Sequence, residues 1–260
     1  MRTRTTIGTF SALACAGLVL FFTPAPAAAQ GRGGVPAAPQ NPKAQAPIDV
    51  TGYWVSIVTE DWRYRMVTPP KGDYASVPLN PAARRVADAW DPAKNEASGD
   101  ACKAYGAAAL MRVPGRVHIS WDGETTLDVE TDAGTQTRVL RFGTPPSAGP
   151  ATLQGNSVAS WEGLPPPGRG GIAQAPRGSL KVVTSNLKPG YLRKNGVPYS
   201  DKAVVTEYYD VVTEPDGVRW LILQTTVDDP TYLTQPFITS THFRKQADSA
   251  GWSPSPCSAQ

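Results

Sequence analysis

From about Ile48 onward, apolar and β-branched residues recur at every second position, the period of a half-buried strand rather than of a helix. The runs YWVSIVTE (53–60), RVHISWD (116–122), TTLDVET (125–131) and TQTRVLRF (135–142) read this way. Asp122-Gly123 separates two of them and TDAG (131–134) the next pair, residue types that accept the positive φ of a hairpin turn. The second half repeats the pattern in SLKVVTSNL (179–187), KAVVTEYYDVVT (202–213), GVRWLILQTTV (217–227) and PFITSTHFRKQ (236–246), with a further strand through NSVASWEG (156–163). EPDG (214–217) is a turn between two of these. Roughly eight or nine successive strands joined by hairpins predict an all-β fold, a single antiparallel meander β-barrel whose closure removes exposed edges. A β-sandwich is the alternative.

The strand pattern is interrupted by an insertion from about Val67 to Pro114. Within it, Asn80 as N-cap and Pro81 at the first helical position predict a helix running to Trp90. SGDACKAYGAAALM (98–111) is a second short helical candidate. LPPPGRGGIAQAPRG (164–178) has nothing to bury and reads as a loop.

Composition alters the picture mainly at the two ends. Arg2 and Arg4, an apolar run from about Phe10 to Phe22 and the small residues before Gln30 form a secretory leader over 1–30, cleaved near residues 29–30. Its apolar run is shorter than the ~20 residues of a membrane-spanning helix. Residues 31–47 are Gly, Pro, Ala and Gln and predict a disordered tether. The barrel domain then occupies 48–246, and the Ser/Pro-rich stretch 247–260 reads as a disordered tail. A secreted or periplasmic protein is expected. Loss of the leader's two arginines lowers the formal charge from +3 to +1, which is no footprint for nucleic acid. Cys102 and Cys257 remain, either paired in an oxidising compartment or free. With two histidines in the chain and no Cys/His cluster, neither a metal site nor a cofactor is expected.

Gly52-x-Trp54 at the head of the first strand resembles the G-x-W signature of the lipocalins and the wider calycin group. That resemblance implies a barrel whose floor is closed by Trp54, with a basic residue of the last strand, Arg244 or Lys245, lying across the indole. TEY (206–208) is similar to the T-D-Y element of the same group. VTEDWRYRM, GYLRKNGVPYS and PTYLTQPFITS also resemble a group of secreted bacterial proteins, which implies location and architecture and brings no activity with it.

Candidate chemistry is sparse. Read as a strand, WRYRM (62–66) turns Arg63 and Arg65 to one face and Trp62 and Tyr64 to the other. Two guanidinium forks on an inward face would hold a carboxylate, sulfate or phosphate; on an outward face they are solvated charge. GYLRKNGVPYS (190–200) is a hairpin by its Asn195-Gly196 turn and carries Tyr191, Arg193, Lys194 and Tyr199, either as a grip on a ligand at the barrel mouth or as a soluble surface. On KAVVTEYYDVVT, Glu207 shares a face with Val205 and Tyr209, and Asp210 shares the other, so one of the two carboxylates points inward. His118 and His242 complete the acid–base inventory.

Three function classes follow. The first is a carrier of a small, largely hydrophobic molecule with an anionic or polar end. The second is a cofactor-free isomerase, lyase or hydrolase using Glu207 or Asp210 as base. The third is an interaction module of the cell envelope.

Overall fold

The computed structural model describes residues 41–144, 149–163 and 178–260. The leader, residues 31–40 of the tether and nearly all of the loop at 164–178 lie outside the described residues. Strands β1 (Gly52–Ile57), β2 (Arg116–Asp122), β3 (Thr126–Thr131), β4 (Gln136–Phe142), β5 (Asn156–Gly163) and β6 (Gly178–Ser185) carry the first part of a sheet. A small hairpin follows, β7 (Gly190–Arg193) and β8 (Val197–Tyr199), and then β9 (Val204–Thr213), β10 (Arg219–Asp228) and β11 (Phe237–Lys245). Nine strands close into a barrel in the order β1-β11-β10-β9-β6-β5-β4-β3-β2, with β7 and β8 paired only to each other.

The antiparallel meander holds everywhere but at one seam, where β4 and β5 run parallel with Leu140 opposite Ser157. That seam is a matter of parity. Strand direction cannot alternate all the way round an odd-numbered ring, so one neighbouring pair has to be parallel. A parallel pair needs a connection that returns the length of the strand, and here it falls between Phe142 and Asn156.

Period-two alternation fills the interior. Leu127 and Val129 of β3, Leu180 and Val182 of β6, and Leu221 and Leu223 of β10 are all fully buried, with Trp54, Tyr209 and Phe243 among them. The barrel is therefore a packed core at this end. A second core lies at the opposite end, where Val205, Val227 and Phe237 of the rim meet Tyr74, Leu79, Ala83, Ala87, Leu192, Val197 and Tyr199.

The insertion supplies that second core. Helix α1 (Trp62–Arg65) is a single turn, α2 spans Pro81–Asp88 and α3 spans Pro92–Ala97. Asn80 caps α2 as expected, accepting from the Ala83 amide at 2.9 Å, and Ala83 and Ala87 are buried one turn apart. The second helical candidate, 98–111, is instead two 3-10 turns, Ala101–Tyr105 and Leu110–Arg112. Hairpin β7–β8 is driven into this core. Val197, Tyr199 and Asn195 are fully buried, and the Asn195 amide donates to the carbonyls of Pro70 and Asp73 at 3.1 and 2.9 Å. The turn at Gly196 has φ +83°, and a Cβ there would run into Trp90. The surface mouth loop expected at 190–200 is thus a buried plug.

Trp54 closes the first end. Its indole is fully buried and donates to the Val50 carbonyl at 2.9 Å. The last-strand cation across the ring is Lys245, with Nζ 4.5 Å from the ring centroid, and not Arg244, which is exposed; the Arg219 guanidinium carbon lies farther off, at 6.0 Å. Alternation decides between them, because Lys245 falls in the row of Phe243 and pairs directly with Trp54. Lys245 Nζ also donates to the Thr51 carbonyl, and Gly52 makes room for it at φ +93°.

Both termini of the domain are tied down where the composition predicted disorder. Trp161 Nε1 donates to the Pro42 carbonyl at 2.7 Å. The tail is held by a Cys102–Cys257 disulfide, by Ser255 beside Ala133, and by the Ala259 amide on Glu96 at 2.7 Å. Ser and Pro bury little themselves; a covalent bond and backbone hydrogen bonds hold the segment instead. No helix among the described residues is long and apolar enough to cross a membrane.

Two stability effects are expected. Gly52→Ala should cost roughly 1–3 kcal/mol, since a side chain at this φ is strained, read as a lower urea midpoint. Cys257→Ser should cost about 2–5 kcal/mol, because the bridge closes a long loop in the unfolded chain; the same urea titration checks it, and reduction of the wild type should reproduce the loss.

Candidate cationic cleft at the barrel shoulder

A cleft of about 390 Å³ opens between α1, the Leu110–Arg112 turn, hairpin β7–β8 and the tail. Three arginines from three distant segments line it, and each is more than nine-tenths buried: Arg65, Arg112 and Arg193. Such a concentration of buried like charge is costly unless it is compensated. Where each compensation comes from defines what the cleft can do.

Arg65 is saturated. Its Nε donates to the Arg112 carbonyl at 2.9 Å, Nη1 to Glu60, and Nη2 to Ser56 Oγ at 3.1 Å. It acts as a buttress under Arg112. Arg112 has one partner, Asp61, reached from Nη2 at 3.1 Å, while its buried Nη1 has no acceptor among the described residues. Arg193 has no carboxylate partner among the described residues. Its Nη1 donates to the Ala75 carbonyl at 2.7 Å, and buried Nε and Nη2 have no acceptor. The Tyr64 ring lies 4.0 Å from the Arg193 guanidinium carbon, and Phe237 lies 5.7 and 6.0 Å from those of Arg112 and Arg193. Lys194, on the same rim, donates to the Gln260 carbonyl at 2.9 Å. Burial, with the charge of Arg112 added, pushes Arg193 down to about 10, so at neutral pH it still carries its proton.

The other expected site residues scatter. Arg63 and Arg65 do not share a face, because 62–65 is a helical turn and residues two apart on a helix point in nearly opposite directions. Arg63 turns outward to Asp73 at 2.6 Å, and Trp62 is exposed. Tyr64 is in the cleft. Tyr191 receives a hydrogen bond from Asn95 at 3.1 Å, away from the cleft lining. Tyr199 is fully buried, its hydroxyl packed against Gly106 and Gly190. His242 faces outward, 3.2 Å from Glu60, in a separate shallow groove with Ile57, Trp220 and Ile222. His118 is also outward, 2.8 Å from Glu130 and stacked on Tyr53.

Of the two carboxylates on β9, Glu207 is the inward one and Asp210 binds Ser179 on the outside. Glu207 is held bidentately by Arg138 at 2.9 and 2.5 Å, and both side chains are fully buried. Tyr209, Thr184 and Ser157 extend the cluster. Burial opposes the Arg138 charge, but Glu207 outweighs it and holds the guanidinium above its ordinary value. Burial pushes the Tyr209 phenol up as well. An arginine-clamped carboxylate shut inside a packed barrel is poorly placed as a general base. Sequence reasoning missed Arg138, although alternation aligns it with Leu140 and Phe142. It also missed Arg112, a lone arginine between an apolar run and Val113-Pro114 that carries no local signal.

Glu207→Gln should destabilise the protein by about 3–5 kcal/mol, because Arg138 is left buried without a counter-charge. In urea unfolding, the double change Arg138→Met, Glu207→Leu should be less destabilised than the single one. Compared with known proteins, the chain matches no family model, no curated protein and no solved structure.

Proposed function

We propose that this is an exported binding protein whose shoulder cleft takes a small molecule by its anionic end. The observation that carries the reading is Arg193: a nine-tenths-buried cation with no carboxylate partner among the described residues, two guanidinium nitrogens without an acceptor, and a tyrosine stacked on it. Native structures seldom leave such donors idle, and a bound anion is one way to engage them. The apolar body of the ligand lies against Tyr64, Val67, Val113 and Leu192, outside the barrel, because the interior is occupied by the protein's own side chains. Export is supported by the leader-like first thirty residues and by the Cys102–Cys257 bridge, which belongs to an oxidising compartment. A relation to the calycin group is supported by the closed barrel and the Gly52, Trp54 and Lys245 arrangement.

Calorimetric titration with benzenesulfonate, whose charge is constant with pH, tests the reading. Arg193→Ala should weaken binding by about 10- to 100-fold, the worth of a charge-assisted hydrogen bond. Arg63→Ala, whose guanidinium is turned to Asp73, should leave it within about twofold. Affinity should hold through neutral pH and fall as pH rises through about 10, where unliganded Arg193 loses its proton. Equal binding by Arg193→Ala and wild type would refute the site.

A further inference from the structure

Resting on that reading, we infer that the Cys102–Cys257 disulfide is a redox switch on the cleft, which holds an anion while the bond is formed and loses it when the bond is reduced.

The bond joins two walls of the same cleft. Cys257 stands in the tail between Ser255 and Gln260, and both of these line the cleft. Cys102 belongs to the Ala101–Tyr105 turn, whose Ala104 and Tyr105 line it from another side. Lys194 bridges the same two walls, with Nζ 5.1 Å from the Tyr105 ring centroid and donating to the Gln260 carbonyl at 2.9 Å. Reduction therefore acts on the cleft's own lining and not from a distance.

Without the bond, little holds the tail in place. Of the apolar side chains between 247 and 260, only Ala259 is buried. The Ser253 and Ser255 amides donate to Asp132, at 3.4 Å to its carboxylate and 2.9 Å to its carbonyl, and Thr135 Oγ1 donates to the Ser255 carbonyl at 3.0 Å. The Ser258 amide donates to the Tyr105 hydroxyl at 3.3 Å and the Ala259 amide to Glu96 at 2.7 Å. The net worth of a hydrogen bond is no larger than the entropy cost of ordering one residue's backbone. These bonds leave no surplus, and the covalent link decides whether the outer wall stays.

Both cysteines are half-buried, not sealed in the core. One thiolate of a small dithiol attacks a sulfur of the bridge, the S–S bond breaks and a mixed disulfide forms, which the second thiolate displaces. Two electrons and two protons pass to Cys102 and Cys257, and the dithiol leaves as its cyclic disulfide. The reverse exchange, with a disulfide as oxidant, completes the cleft.

The test is calorimetric titration of the full chain with benzenesulfonate, oxidised and in dithiothreitol. Reduction should weaken binding about tenfold or more, because the ligand then has to order the tail, and reoxidation should restore it. Chymotryptic cleavage after Trp252 should speed up on reduction, while the Trp54 indole N–H resonance stays where it was. The double change Cys102→Ser, Cys257→Ser should bind like the reduced wild type and be indifferent to dithiothreitol. Equal affinity in the two redox states would overturn the switch and leave the anion site standing. Tighter binding after reduction would also overturn it, making the tail a competitor for the cleft. Loss of the Trp54 resonance together with binding would replace a local switch by global unfolding and overturn it as well. Absence of binding in either state would overturn the anion site on which the switch acts.

Discussion

Nine strands close into a ring only if one neighbouring pair is parallel, and the rest of this molecule is arranged around that closure. A closed ring has no free edge to pair with another chain, but it has two open ends and an interior that must be filled. The interior is filled by the inward rows, which are bulky and apolar except at the Arg138–Glu207 pair. One end is closed locally, by Trp54 under Lys245 and by buried Val50 of the segment that leads into β1. The other is closed from a distance. The chain leaves the ring between β6 and β9, folds hairpin β7–β8 inward, and packs it against the insertion that follows β1.

That second plug is where buried positive charge gathers. An apolar cap alone would need no arginines. Here Arg65, Arg112 and Arg193 are carried into the junction by α1, a 3-10 turn and the hairpin, and among the described residues only Arg65 of the three has each guanidinium nitrogen engaged. The barrel therefore acts as a rigid wall behind the cleft rather than as a container. The tail contributes the outer wall, with Ser255 and Gln260 lining the cleft on either side of the disulfide-bonded Cys257. Rigidity on several sides is what a preorganised oxyanion site requires, because a fork that is already held loses little freedom on binding.

Much of the frame was legible in the sequence because its cause is local. Period-two runs marked the nine ring strands, Asn80-Pro81 marked the start of α2, and Gly52-x-Trp54 marked the floor. What escaped was decided by tertiary contact. WRYRM alternates like a strand, yet it folds as a turn after Asp61, which adopts a φ of +48°. The choice of Lys245 over Arg244 depended on a register that only the closed ring defines. The tail looked unordered because its composition buries little, and the order comes from a disulfide spanning 155 residues. The candidate cleft was half visible. Tyr64, Arg65 and Arg193 stood out by their setting, but Arg112 has no neighbouring pattern, and nothing in one dimension says that it meets Arg193 over Phe237.

On the proposed reading the ligand sits at the barrel's shoulder and leaves the interior untouched. Side-chain NMR of the arginine Nε–H and tryptophan Nε1–H groups during a benzenesulfonate titration separates the two locations. Saturable shifts of the Arg193 Nε–H and the Arg112 guanidinium are expected, with the Trp54 indole unmoved at the far end. A moving Trp54 with a silent Arg193 would put the ligand inside the barrel and rule out the shoulder cleft.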